Sequence, residues 1–112
     1  MAVKTLVLQG KPEFNAVDVE GVHIDAMFLG IATAETYTLP TDCRFVEISS
    51  DGEIYARYDG SAAAIPTTEI TDGTGSELIH QVSNPVRRYV GGIASISFIS
   101  AAAQIITICA YK

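Results

Sequence analysis

At 112 residues the chain has room for one domain, and a domain of this length buries about two-thirds of the surface its unfolded chain exposes. Hydrophobic residues make up 48% and charged residues only 18%, below the usual ~25%, a composition that favours burial against other subunits. The net charge of −6 and seven scattered basic residues, with Arg87-Arg88 the one adjacent pair, argue against a nucleic-acid partner.

The opening MAVKTLVLQGKPEF lacks the long apolar core and small-residue cleavage site of a secretory signal. Residues 1–33 lack the tight turn chemistry of the remainder. They read as an N-terminal arm or first strands, with strands expected at Lys4–Gln9 and Val22–Phe28 and a short helix or turn within 12–21. Residues 34–112 read as the sandwich proper, within a single domain overall. Its first strand is expected at Thr36–Leu39.

CRFVEISSDGEIYARYDG follows, and Asp51-Gly52 is a strong two-residue hairpin signal, because glycine takes positive φ freely and aspartate tolerates it. A two-residue loop there sets Ser50 against Glu53, Val46 against Arg57, Phe45 against Tyr58 and Arg44 against Asp59. That register pairs aromatics on one face and opposite charges on the other. GSAAAIP and TDGTGSEL read as loops. Weaker strands are expected at Glu69–Thr71, Leu78–Val82 and Arg87–Val90, and Gly91-Gly92 reads as a turn or bulge.

The chain closes on ASISFIS and QIITICAY, read as a second hairpin, and no charged residue lies between Arg88 and Lys112. In the first segment Ile96 and Phe98 alternate with small residues. In the second, Ile106, Ile108 and Ala110 alternate with Ile105, Thr107, Cys109 and Tyr111, so both faces are apolar. A strand apolar on both faces is usually central and covered twice. One cover is the opposing sheet; the other must be a loop, the N-terminal segment or another subunit. A period of two, with Gly91, Gly92, Ser95, Ser97, Ser100, Gln104 and Thr107 in the run, argues against a membrane helix. The expected fold is all-β, an antiparallel, jelly-roll-like sandwich with an extended N-terminal arm.

Catalytic and metal chemistry find few candidates. His23 and His80 read as structural or surface histidines, and Cys43 and Cys109 as free thiols. No nucleophile elbow, paired-histidine zinc motif or CxxC appears. The loop Thr71–Glu77 lacks both the acid spacing of a calcium loop and a lysine for phosphate. No catalytic, metal-binding or cofactor-binding residue is expected, and no cofactor. An enzyme would need His23 or His80 to converge with Cys43 or a carboxylate. The five tyrosines, with no tryptophan, could alternatively line a sugar-binding face, although half-buried tyrosines at sheet edges are the commoner arrangement.

From Thr36 to Lys112 the chain resembles small β-sandwich virion proteins of tailed bacteriophages. The resemblance is carried by RFVEISSDGEIYARYDGSAA, an Asp-Gly-Thr-rich connection with SELI, RRYVGGIASISFISAA and a closing apolar strand. Such modules serve as capsid decoration (cement) proteins, head fibres or neck components. The resemblance implies a non-enzymatic virion protein, made in the host cytoplasm and carried on the capsid surface, with neck, tail or fibre-type host recognition as alternatives. The expected partners are other copies of the chain, as a closed ring such as a homotrimer, and the major capsid protein or another virion protein; nucleic acid and membrane are not among them. Candidate subunit-interface residues are Ile105, Thr107, Cys109 and Tyr111, and candidate scaffold or neighbour contacts are Leu6, Leu8 and Phe14.

Overall fold

A computed structural model describes residues 22–112, which form eight strands and one short 3₁₀ turn. The strands are β1 (Val22–Leu29), β2 (Glu35–Thr38), β3 (Phe45–Ser50), β4 (Ile54–Arg57), β5 (Glu77–Ile79), β6 (Val86–Tyr89), β7 (Ser95–Ile99) and β8 (Gln104–Tyr111); Gln81–Ser83 is the 3₁₀ turn. They build two four-stranded antiparallel sheets, ordered β1-β8-β3-β6 and β2-β7-β4-β5, packed as a sandwich. Two interleaved orders of this kind, with successive strands alternating between sheets except at the β4–β5 pair, define a jelly roll.

Alternation of side chains builds the core. Val46 and Ile48 of β3, Ile54 and Ala56 of β4, Ile96 and Phe98 of β7, and Ile106, Ile108 and Ala110 of β8 all point between the sheets and are buried. Leu29 and Tyr37 complete one end of this core and Ile79, Val86 and Val90 the other.

Both expected hairpins are overturned. β3 and β4 lie in different sheets, as do β7 and β8, so Val46 opposes Arg88 and Ala110 rather than Arg57. Asp51 explains the first case. Its N–H donates to the Ile105 carbonyl at 3.2 Å, and its carboxylate accepts from the Ile105 N–H at 2.8 Å. These bonds carry the β3–β8 ladder one residue further, so the chain turns a corner at buried Gly52 instead of folding back. The Gln104 side-chain amide lies where a Cβ on Gly52 would stand, so any larger residue there would have to push that amide aside. Inward alternation on two facing sheets produces the same apolar pattern as a hairpin, and turn chemistry alone does not separate the two.

Of the segment 1–33, the stretch Val22–Leu29 is a full sandwich strand, paired along its length with β8. The strand expected at Glu69–Thr71 is loop, and Leu78–Val82 divides into β5 and the 3₁₀ turn. The expected strand Lys4–Gln9 and the contacts Leu6, Leu8 and Phe14 lie outside the described residues.

Candidate functional site

The outer faces of the two sheets differ. On the β2-β7-β4-β5 sheet the outward Ser97 and Ile99 are buried, and the loop after β4 crosses over Ser97. Ala63 in that loop is itself buried and donates its N–H to Ser97 Oγ at 2.8 Å. The small hydroxyl face of β7 is therefore a seat for the chain's own loop. Ser100, 1% exposed, continues the pattern by donating to the Glu53 carbonyl at 2.8 Å.

The β1-β8-β3-β6 sheet has no such roof among the described residues. Its outward row on β8 is Ile105, Thr107, Cys109 and Tyr111, so the four candidate interface residues share one face. The register sets Phe28 beside Ile105, Ala26 beside Thr107 and Ile24 beside Cys109 on one flank. On the other, Phe45 stands beside Tyr111 and Tyr89, and Glu47 beside Cys109 and Arg87. Phe28 is 73% exposed, Ile24 65%, Tyr89 77% and Ile105 45%. Large apolar side chains exposed together on one flat face mark an interaction surface more often than scattered single ones do.

Sequence reading missed Ile24 and Phe28, which are the most exposed aliphatic and aromatic groups flanking β8. Their alternation with Asp25 and Met27 was visible in the sequence, but their place beside β8 depends on a pairing across nearly the whole chain.

The polar groups of this face satisfy one another. Phe45 and Tyr111 stack with ring centroids 4.6 Å apart, and the Arg87 guanidinium lies 5.5 Å from the Phe45 ring. Arg87 Nε donates to Glu47 Oε2 at 3.0 Å, and the Tyr111 hydroxyl donates to Glu47 Oε1 at 2.9 Å. The Arg87 bond, outweighing the opposing effect of burial and aided by Tyr111, holds the Glu47 carboxyl below its ordinary range. Burial and Glu47 together push the Cys109 thiol up, so it stays protonated. Glu47 and Arg87 cancel at one end of the face, and the exposed Asp51 carboxylate beside Ile105 and Thr107 leaves one acid at the other.

Elsewhere the polar residues are engaged structurally. His23 and Cys43 do line one cleft of about 170 Å³, with Asp25 bonded to His23 Nε2 at 2.9 Å. Burial raises the Cys43 pKa, however, and its thiol donates to the Phe45 carbonyl at 3.5 Å. A protonated, buried thiol is not the nucleophilic form. His80 caps the 3₁₀ turn, its Nδ1 accepting from the Val82 N–H at 3.2 Å. Asp72 accepts from the Thr74 N–H at 3.1 Å and from its hydroxyl at 2.6 Å, so this carboxylate closes its own turn. Among the described residues no three His, Cys, Asp or Glu side chains gather with metal-binding geometry.

Two of the five tyrosines, Tyr89 and Tyr111, flank Phe45 on the outer β1-β8-β3-β6 face, and the other three lie elsewhere. Tyr37 is buried, Tyr58 is half-buried against Glu77, Tyr111 stacks on Phe45, and only Tyr89 stands well exposed. No family model matches the chain, and no match was found among curated proteins or solved structures.

Proposed function

We propose that this chain is a non-enzymatic structural protein of a tailed-phage virion, a decoration (cement) protein of the capsid surface. Its work is mechanical: it adds buried interface that must be separated before capsomers come apart. One observation carries this reading, the outer face of the β1-β8-β3-β6 sheet, broad, largely apolar and unroofed among the described residues. The resemblance from Thr36 to Lys112 supplies the virion setting. Apolar area removed from water contributes roughly 25 cal/mol per Å², part of which is offset by the cost of association. The segment before Val22, with Leu6, Leu8 and Phe14, contributes the contact with the capsid scaffold.

Heads that lack the protein provide the test. Purified chain is added to them, unbound protein is removed by sedimentation, and the temperature at which heads release their DNA is recorded. Saturable co-sedimentation and a higher release temperature are expected. A chain that stays in the supernatant at micromolar concentration overturns the capsid assignment.

A further inference from the structure

We infer that the outer edge of β1 pairs with the same edge of a second copy, antiparallel about a two-fold axis, joining two four-stranded sheets into one. The pair uses the edge of the sheet and leaves its outer face free, so it does not depend on the virion reading.

The ladder on the far side of β8 fixes which main-chain groups reach that edge. The Asp51 N–H donates to the Ile105 carbonyl, so odd-numbered residues of β3 and β8 bond to one another. Ser50 turns the opposite way, its N–H and carbonyl both bonded to the Asn84 side chain on the β6 side. Even-numbered residues of β8 therefore bond to β1. Register carries this one strand further: Gln104, Ile106, Ile108 and Ala110 oppose Leu29, Met27, Asp25 and His23. Ile24, Ala26 and Phe28 then aim their N–H and C=O groups off the sheet. Among the described residues none of those groups finds a hydrogen-bond partner.

An eight-residue edge is long, and natural sheets guard such edges with lysine, proline, a bulge or an inward charge. β1 has no lysine or proline, and its register with β8 is unbroken. Its inward charge, Asp25, already accepts from Tyr37 and lies 2.9 Å from His23 Nε2, so pairing leaves it bonded. Ile24 and Phe28 meanwhile stand 65% and 73% exposed beside the open edge.

β1 fits its own inverse in one register. A two-fold centred on Ala26 sets Ile24 opposite the partner's Phe28 twice over, and Asp25 opposite the partner's Met27. Ile24, Ala26 and Phe28 then form hydrogen-bonded pairs that exchange both N–H···O bonds. Aliphatic–aromatic cross-strand pairs are favourable, and like charges directly opposite are not. A slip of one residue would set outward side chains against inward ones. A slip of two would set Asp25 against the partner's Asp25, or in the other direction Ile24 against the partner's Gly30, beyond the strand. Self-fit of this kind favours a second copy over a strand of unrelated sequence.

Main-chain bonds rather than broad area hold such a pair, so its population depends on concentration. Size exclusion with light scattering should give 11.9 kDa, one chain, at low micromolar concentration and approach twice that near millimolar. Ala26→Pro removes an N–H that bonds nothing within the described sheet. It should hold the mass at one chain while circular dichroism still reports β structure. Ile24→Lys and Phe28→Glu should each weaken pairing roughly tenfold or more, and the two together should restore it, since opposite charges then face each other twice across the ladder. Amide exchange followed by NMR should slow at Ile24, Ala26 and Phe28 as concentration rises, and be slow at Asp25 and Met27 throughout.

A single-chain mass near millimolar, a mass near three chains, a dimer indifferent to Ala26→Pro, or a double variant that stays monomeric overturns the inference. Slow exchange at Ile24, Ala26 and Phe28 in the single chain also overturns it, by assigning the edge to residues 1–21 instead. The charge variants, at exposed positions, decide the matter if Ala26→Pro unfolds. None of these measurements involves capsids, so a failure here leaves the proposed function standing, and a chain that never binds heads leaves the pair standing.

Discussion

The Tyr37 hydroxyl donates to Asp25 Oδ2 at 2.7 Å, joining β2 to β1 across the gap between the two sheets. The opposite side of the sandwich is closed in the same style. Arg88 on β6 reaches Glu77 on β5, with Nε 3.1 Å from Oε1, and the Tyr58 hydroxyl donates to the same oxygen at 2.6 Å. In each case a carboxylate on one sheet's edge strand accepts from the other side of the gap. Hydrogen bonds to charged groups contribute about 1.5–3 kcal/mol when well formed, and less when partly wet. Tyr37→Phe and Glu77→Gln should therefore each lower unfolding free energy by about 1–2 kcal/mol. Because the two links sit on opposite edges of the sandwich, their costs should add within ~0.5 kcal/mol. Chemical denaturation of both singles and the double measures this, and strong non-additivity would mean that the links are not independent.

The pH limits of stability follow from the same links. Burial alone would raise the Glu77 pKa, but Arg88 and Tyr58 outweigh it and the net shift is downward from 4.5; Glu47 is lowered too, chiefly by Arg87. Lowered carboxylates contribute stability above their unfolded pKa and lose it as pH falls through the folded one. Tyr37, Tyr58 and Tyr111 shift upward from 10.0, mainly through burial and then through their carboxylate partners. Raised groups of this kind contribute stability below the unfolded pKa and lose it as pH rises. Melting temperature should thus fall below about pH 4.5 and again above about pH 10. Glu77→Gln should flatten the acid limb and Tyr37→Phe the alkaline one. An unchanged limb in either variant removes that residue from the explanation.

Alternate residues of β8 should respond to different assays. Ile106 and Ile108 are fully buried, whereas Ile105 and Thr107 face outward. Truncating a buried isoleucine to alanine typically costs about 2–5 kcal/mol, through lost transfer energy and the cavity left behind. Ile106→Ala and Ile108→Ala should each reach that range in denaturant titrations. Ile105→Ala should cost under about 1 kcal/mol at concentrations too low for association. A large effect at Ile105 in dilute solution would mean that its outer side is already covered within the chain.

This alternation was the part of the fold most legible in the sequence. Ile106, Ile108 and Ala110 against Ile105, Thr107, Cys109 and Tyr111 placed β8 in the middle of a sheet, and β8 is flanked by β1 and β3. Pairing was not legible. Asp51-Gly52 has the composition of a hairpin, yet Asp51 spends its side chain and backbone on Ile105, far along the chain, so the strands part into opposite sheets. The cover over β7 was hidden for a related reason. Ser97 read as one half of a polar face, while its partner, the Ala63 N–H, lies in a loop with no pattern of its own. The candidate surface was half visible: its β8 row came from periodicity, its β1 and β6 flanks only from the register.

The turn between β1 and β2 offers a last test, of backbone rather than side chain. Ala32 has φ 51°, a left-handed conformation held in place while its N–H donates to the Ser100 carbonyl at 2.8 Å. For a residue with a Cβ this conformation costs roughly 1–2 kcal/mol, which glycine does not incur. Glycine in turn loses about 0.4–1 kcal/mol through the greater freedom of its unfolded chain. The difference favours glycine, and Ala32→Gly should raise stability by about 0.5–1 kcal/mol, or a few degrees in melting temperature. Gly92 supplies the converse. Its φ is 94° and no atom lies within 4 Å of where a Cβ would stand, so Gly92→Ala meets no steric neighbour and tests the backbone alone. It should destabilise by more than ~1 kcal/mol. If Ala32→Gly lowers the melting temperature while Gly92→Ala leaves it unchanged, backbone strain does not govern these turns and the Ala32–Ser100 bond must be stabilised by something other than conformation.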